Sequence, residues 1–178
     1  VPAWLVWNSL SEPRRITLTA SSGPTDCVLP DGSLVSLNRG ATIIYPEVFS
    51  DHERPVEITG EACFDVKRDT RRPFVVSAGE VRVEVLGTVF YVESGSAERP
   101  ASVVLTSGSV TAYLSGDKKN GVLLNPGEEA VLSEAERSVS KHPLEDPNRL
   151  AWKTRRMVFE DAPLGDIVLL LNEVYASS

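Results

Sequence analysis

One dipeptide in this chain carries reactive chemistry of its own. In the segment VLGTVF, Thr88 directly follows Gly87, so its hydroxyl lies close to the Gly87 carbonyl along the chain. A hydroxyl so placed can attack that carbonyl in an N-to-O acyl shift if the backbone is strained, and glycine suits such strain because it lacks a Cβ atom. Gly87 and Thr88 are therefore candidate self-cleavage residues. The simpler interpretation is a strand kinked at Gly87, in which Thr88 only packs or forms a hydrogen bond.

The other residues that could do chemistry do not converge on a site. His52 and His142 are the only two histidines, and each lies in a polar segment far from the other, so we predict no metal site. The sequence has no HExxH, GxSxG, Walker or GxGxxG pattern, and we expect no cofactor. Several carboxylates occupy alternate strand positions, where a polar sheet face explains them more simply than a glycosidase pair: Glu57, Glu61, Asp65 and Glu84.

Composition limits the possible partners. The 178 residues include 25 acidic and 18 basic side chains, for a net charge of −7, and no stretch collects Lys and Arg on one face. We therefore expect no nucleic-acid partner. No apolar run approaches the ~20 residues that cross a bilayer. The opening VPAWLVW, with Trp4 and Trp7, is typical either of a juxtamembrane segment over residues 1–14 or of an edge strand.

The elements that would position these residues are short strands. Residues 28–92 alternate apolar with polar side chains between Gly, Pro and Asp-Gly turns. Similar strands follow glycines in steps of 19 or 20 residues, apart from one step of 29: Gly40, Gly60, Gly79, Gly108 and Gly127. The pattern predicts a mainly β domain over residues 15–132, either a rolled antiparallel β-sandwich or a β-solenoid. We expect its core to include Val83, Val85, Phe90, Val104 and Leu105.

The two cysteines are predicted to lie on opposite faces of their strands. Cys27 shares a face with Leu29, whereas Cys63 lies opposite the face of Ala62, Phe64 and Val66. This geometry disfavours a disulfide.

The pattern changes after Leu132. Residues 133–149 are polar, contain two prolines and are interpreted as a linker with at most a short strand. Residues 150–178 predict one strand and then one amphipathic helix. Apolar side chains recur along that helix at helical spacing: Leu164, Ile167, Val168, Leu171 and Val174.

Six short motifs, in order, resemble the FecR family of anti-sigma regulators. They are LPDGS at 29–33, LN at 37–38, YP at 45–46, GEA at 60–62, PF at 73–74 and VLGT at 85–88. Together they span about a third of the chain. The tail, from Trp152 through MVFEDAPLGDIVLLL, is similar to the opening of the C-terminal α+β signalling subdomain of these proteins, and we expect it to be truncated at Ser178 after its first strand and helix.

The resemblance implies a periplasmic, signal-receiving region of a regulator anchored in the inner membrane, with no catalytic turnover. The transmembrane helix and the cytoplasmic segment that binds an ECF sigma factor would both be missing from this chain. Its partner would be the signalling domain of a TonB-dependent outer-membrane transporter, contacted through Leu164, Ile167, Leu171 and Val174. Some FecR-like proteins cleave themselves at the Gly-Thr of the VLGT motif, which is what the resemblance implies for Gly87 and Thr88.

Two alternatives from other classes stay open at this point. A β-rich carbohydrate-binding or carbohydrate-processing domain would need a groove lined by aromatic side chains and two facing carboxylates. A purely structural segment would bind no signalling domain.

Overall fold

Two seven-stranded sheets pack face to face and form most of the protein. The structure is a computed structural model that describes residues 13–96 and 99–175. The predicted mainly β architecture is confirmed, with a short helical part at the C-terminus. Trp4 and Trp7 lie outside the described residues.

The bounds of the strands follow the spatial order of each sheet. The first sheet has the order β1, β4, β5, β7, β8, β11 and β12, with the bounds Arg15–Thr19, Thr42–Pro46, Arg54–Thr59, Phe74–Ala78, Val81–Val85, Val110–Leu114 and Val122–Leu124. The second sheet has the order β14, β13, β10, β9, β6, β3 and β2, with the bounds Ser138–Pro143, Glu128–Ser133, Ala101–Ser107, Val89–Glu93, Glu61–Asp65, Leu34–Leu37 and Thr25–Val28.

The chain supplies strands to the two sheets alternately, which decides between the two predicted architectures. Most strands enter as antiparallel pairs, first in one sheet and then in the other, so the result is a rolled β-sandwich. One pair departs from the predicted antiparallel pattern, because β5 and β7 run parallel. They do so because β6 crosses to the other sheet and residues 66–73 bring the chain back.

Glycines make sharp turns ahead of the strands that they were predicted to lead. Four of the five lie where the chain passes from one sheet to the other, and Gly79 lies in the hairpin between β7 and β8 of the first sheet. All five strand-leading glycines have positive φ, from 62° at Gly79 to 93° at Gly108. Gly60 shows why no other residue fits, because an added Cβ would lie 2.9 Å from the Cα of Ala41. Its φ of 87° is also one that side chains with a Cβ rarely adopt.

The core lies between the sheets and contains the residues that alternate inward. Phe90 is fully buried and stacks on Phe64, with 5.2 Å between ring centroids. Val83, Val85 and Leu105 belong to the same cluster, as predicted. Val104 is buried too, but on the outer face of the second sheet.

The β domain extends beyond the predicted boundary at Leu132. Strand β14 pairs with β13 along its whole length, so the short strand that the sequence allowed within the predicted linker at 133–149 is a six-residue strand in its middle. It looks polar in sequence because it forms the edge of its sheet and exposes most of its side chains. An edge strand needs few apolar residues.

The C-terminal segment also differs from its prediction. Residues 151–154 form a short helix, α1 (Ala151–Thr154), and among the described residues after 150 there is no strand. In place of the expected strand, the backbone of Val158 bonds to the side chain of Asn148, which accepts its N–H at 2.7 Å and donates to its carbonyl at 2.8 Å. The predicted amphipathic helix is present as α2 (Leu164–Tyr175). In the described part of the chain, no helix is both long and apolar enough to cross a membrane.

Candidate functional site

The Gly87-Thr88 peptide joins β8 to β9 and is fixed on two sides. The backbone carbonyl of Leu86 accepts the N–H of Asp69 at 2.8 Å, and the carbonyl of Thr88 accepts the N–H of Val66 at 3.0 Å. These two bonds hold the dipeptide against the crossover between β6 and β7.

Gly87 is required here by close packing. A Cβ on Gly87 would lie 2.6 Å from the Cα of Arg68 and 2.7 Å from its Cβ. The φ of Gly87 is 159°, close to fully extended backbone. Glycine is therefore needed at this position because a neighbouring chain segment approaches closely. The peptide itself is not strained.

The hydroxyl of Thr88 has a structural partner. Thr88 is 5% exposed, and its Oγ1 donates a hydrogen bond to the carbonyl of Ser109 at 3.0 Å. Within the described residues, no carboxylate, imidazole or amine is hydrogen-bonded to this hydroxyl, so no general base is in place. Self-cleavage at Gly87-Thr88 stays a prediction.

The second site is an anchor for the C-terminal segment, which no sequence motif indicated. Glu61, from the GEA motif, starts strand β6 and faces outward from the second sheet. Its Oε1 accepts the indole N–H of Trp152 at 2.5 Å, and its Oε2 accepts the side-chain amide of Asn38 at 2.8 Å. A residue of the C-terminal segment is thus bonded to a motif residue of the β domain across 91 positions of sequence.

Arg149 strengthens this anchor beside Trp152. Its guanidinium donates to the carboxylate of Glu93 and to the hydroxyl of Ser102, the latter at 2.6 Å. Glu129 lies 3.7 Å from its Nε. We call Arg149 and Trp152, with these contacts on the outer face of the second sheet, the C-terminal anchor.

Apolar contacts surround the polar ones. Trp152 packs edge-on against Tyr91, with 6.4 Å between ring centroids, in a cluster that also includes Cys63 and Val104. Burial raises the pKa of the Cys63 thiol and keeps it protonated. Cys27 instead packs toward the main core, so the two cysteines lie on opposite faces of one sheet, as their strand positions predicted.

Glu61 is the titratable group of the anchor. Burial raises its pKa, and the nearby carboxylate of Glu93 adds to the increase. The hydrogen bonds from Asn38 and Trp152 and the charge of Arg149 act in the opposite direction without cancelling the effect. Protonation of Glu61 is therefore coupled to the docking of the C-terminal segment.

A signal for the anchor was present in the strand β10. Residues 101–105 read ASVVL and are all buried, so this strand is covered on both faces. A nearly continuous apolar run is the mark of such a strand. What covers its outer face could not be inferred, because Trp152 is remote in sequence.

Helix α2 follows the anchor and exposes an apolar face. Leu164 is 76% exposed, Val168 47% and Leu171 39%. Of the other predicted contact residues, Ile167 is half-buried and Val174 is buried. The predicted stripe therefore combines two adjacent faces of the helix, one turned toward the protein and one toward solvent.

The described residues do not bring together the side chains that a metal site or a carbohydrate site would need. His52 is exposed and His142 is half-buried, and within the described residues neither belongs to a group of potential metal ligands. A groove on the first sheet holds Glu53 and Glu57, but its lining includes no aromatic side chain. This groove therefore lacks the aromatic side chains that a carbohydrate site would need.

Comparison with known proteins decides the family. The family model described as FecR protein matches residues 16–111, more than half of the chain. This chain belongs to the FecR family. No curated protein matches it.

Solved structures agree with this assignment. The FecR chain is similar to a candidate anti-sigma factor from Parabacteroides distasonis ATCC 8503, known from crystal structures at 2.50 and 1.65 Å. The identity is 26% in both cases, with TM-scores of 0.73 and 0.72. The matches cover 92% and 90% of this chain and 76% and 75% of the other.

Family membership settles the general class of function. The protein is an anti-sigma regulator, and such a regulator has a sigma factor as its partner. The family is regulatory and non-enzymatic.

Proposed function

We propose that this FecR protein is the periplasmic signal-receiving region of a regulator anchored in the inner membrane. In this role it contacts the signalling domain of a TonB-dependent outer-membrane transporter and passes the signal to an ECF sigma factor. The transporter contact and the location come from the family resemblance of the six motifs and the tail.

One observation carries the proposal, namely the exposed apolar face of α2. Leu164, Val168 and Leu171 recur at helical spacing and are all exposed. Burying one such side chain against a partner is worth ~1.5 to 3 kcal/mol, so the face suits a protein contact.

The anchor gives this face a connection to the rest of the molecule. Tyr175 at the end of α2 lies under the guanidinium of Arg155, with 5.5 Å from the Arg155 Cζ to the ring centroid. Arg155 directly follows α1, which holds the anchor residue Trp152. A partner bound on α2 would therefore act on the anchor over a short path.

Calorimetric titration with purified transporter signalling domains tests the proposal. The double variant Leu164→Asp, Val168→Asp should lower affinity at least tenfold, because it places two charges in the contact. The matched control is Val48→Asp, since Val48 is 70% exposed but lies in the β domain. Equal affinity of wild type and the α2 variant for every domain that binds would contradict the proposal.

A further inference from the structure

The crossover between β6 and β7 forms one wall of a strongly basic pocket of about 460 Å³. Of its eight lining residues five are basic and two are acidic. The chain as a whole carries a net charge of −7, so a cluster of positive charges contrasts with its overall negative charge. Four of these basic residues already lie together in the sequence run KRDTRR at 67–72, and the fold adds Arg54. The basic residues are Arg54, Lys67, Arg68, Arg71 and Arg72.

The deepest of these residues is a buried arginine with an unpaired donor. The side chain of Arg54 is 1% exposed, and its Nη1 donates to Asp31 Oδ2 at 2.6 Å and to the carbonyl of Lys67 at 2.8 Å. Its Nε donates to the carbonyl of Arg72 at 3.0 Å. Its Nη2 is buried and has no hydrogen-bond partner. A buried, charged donor without a partner is costly, and a ligand or a bridging water would relieve that cost.

The two acids of the pocket are already used by the protein. Asp31 accepts hydrogen bonds from Arg54 and from both the N–H and the hydroxyl of Ser33. Asp69 accepts the Nε of Arg72 at 2.8 Å and the backbone N–H of Arg71 at 3.0 Å. The hydrogen bond from Arg72 is the main reason that the pKa of Asp69 falls to about 2.

Three cations remain without partners. The side chains of Lys67, Arg68 and Arg71 form no hydrogen bond or ion pair with the described residues. These three side chains and Arg54 line one space, and the Nη2 of Arg54 is buried behind it without a partner. Guanidinium groups bind phosphate and carboxylate oxygens through parallel N–H bonds, and lysine adds a point charge.

We propose that this pocket binds a small multivalent oxyanion, either a phosphate or a polycarboxylate. Several cations face the ligand, so one carboxylate would pair with only part of them. An anion with two or more charges would satisfy the unpaired set. The anion would reach the Nη2 of Arg54 through a bridging water or after a rotamer change in the exposed side chains of the crossover.

Binding should also tighten the neighbouring segment that holds Gly87. Asp69 and Arg68 belong to the crossover, and they contact the Leu86 carbonyl and Gly87 directly. Hydrogen exchange of the amides in residues 66–72 and 86–88 is therefore a structural readout of the ligand that does not depend on any signalling activity.

Calorimetry at fixed ionic strength tests the proposal with inorganic phosphate, citrate and acetate as probes. We expect phosphate or citrate to bind at least tenfold more tightly than acetate and to slow exchange in residues 66–72. The double variant Lys67→Gln, Arg71→Gln should lose at least tenfold in affinity. The matched control removes the same charge from exposed positions elsewhere, Lys119→Gln with Arg156→Gln, and should bind as wild type does.

Each outcome either identifies a ligand class or overturns the proposal. Tighter binding of phosphate identifies phosphoryl compounds as the ligand class, and tighter binding of citrate identifies polycarboxylates. Absence of binding by both, acetate binding as strong as theirs, or an equal loss in the two double variants would overturn the proposal. Arg54 is left unchanged because its loss would also disturb folding, as the Asp31 carboxylate would be buried without its partner.

Discussion

The interior of the β-sandwich buries its apolar side chains, whereas the outer face of helix α2 exposes them to solvent. Phe90 is fully buried between the sheets, whereas Leu164 is 76% exposed. The sandwich completes its own core and draws its stability from it. The C-terminal segment is held through the C-terminal anchor and leaves an apolar helix face exposed to solvent. The difference separates a region built for stability from one suited to a contact.

The sharpest test of this comparison replaces one residue in each region. Phe90→Ala should lower the free energy of unfolding by ~3 to 5 kcal/mol, because it leaves a cavity next to Phe64. Leu164→Ala should change it by no more than ~0.5 kcal/mol, since little of its surface is buried. Urea denaturation followed by circular dichroism gives both numbers. Similar costs at the two positions would show that α2 is part of the folding core.

The second test separates the two regions physically. Trp152→Phe removes the indole N–H and leaves one oxygen of the half-buried Glu61 without its donor, which costs ~1 to 3 kcal/mol. We expect the C-terminal segment to detach while the sandwich stays folded. Limited proteolysis should then cut after residue 144 faster than in wild type, with an unchanged denaturation midpoint for the sandwich.

The control for this variant is Phe159→Leu, which alters an aromatic residue of the same segment that is 38% exposed. It should leave the rate of proteolysis as it is. If Trp152→Phe were cut no faster than this control, the anchor would not be what holds the segment.

The sandwich was predictable because its signals are local. Alternation along each strand and a positive-φ glycine ahead of β4, β6, β8, β11 and β13 depend on neighbouring residues, and both are present in the structure. Phe90 and Val83 could be assigned to the core from their strand positions alone. The choice between sandwich and solenoid was not local, because it depends on which strands pair.

The contacts between distant segments could not be predicted. Glu61 and Trp152 are 91 positions apart, and Arg54 meets the crossover loop only after β5 and β7 pair in parallel. Strand β14 could be allowed within residues 133–149 but not placed there, because an edge strand lacks the apolar alternation that marks an interior one. Where a strand was expected, the backbone of Val158 instead bonds to the side chain of Asn148, a contact that periodicity does not reveal.

The third test asks whether the anchor responds to pH, and it has the smallest expected effect. Burial raises the pKa of Glu61 above its ordinary value of 4.5. With the folded pKa above the unfolded one, the unfolded chain loses its proton first as pH rises. The stability that neutral Glu61 contributes is therefore complete below about pH 4.5 and is lost as pH rises through the folded pKa. The segment should dock more firmly at pH 4.5 than at pH 7.

Glu61→Gln should reduce this pH dependence, because glutamine cannot ionise. The variant keeps an oxygen that can accept the Trp152 N–H, but its amide N–H₂ meets the amide of Asn38, so docking is weakened to a similar extent at every pH. The informative quantity is thus the difference in proteolysis rate between pH 4.5 and 7, measured with a protease active at both. Glu160→Gln, an exposed position in the same segment, should keep the wild-type difference. If Glu61→Gln kept it as well, another group would control the docking, and the raised pKa of Glu61 would have no consequence for the anchor.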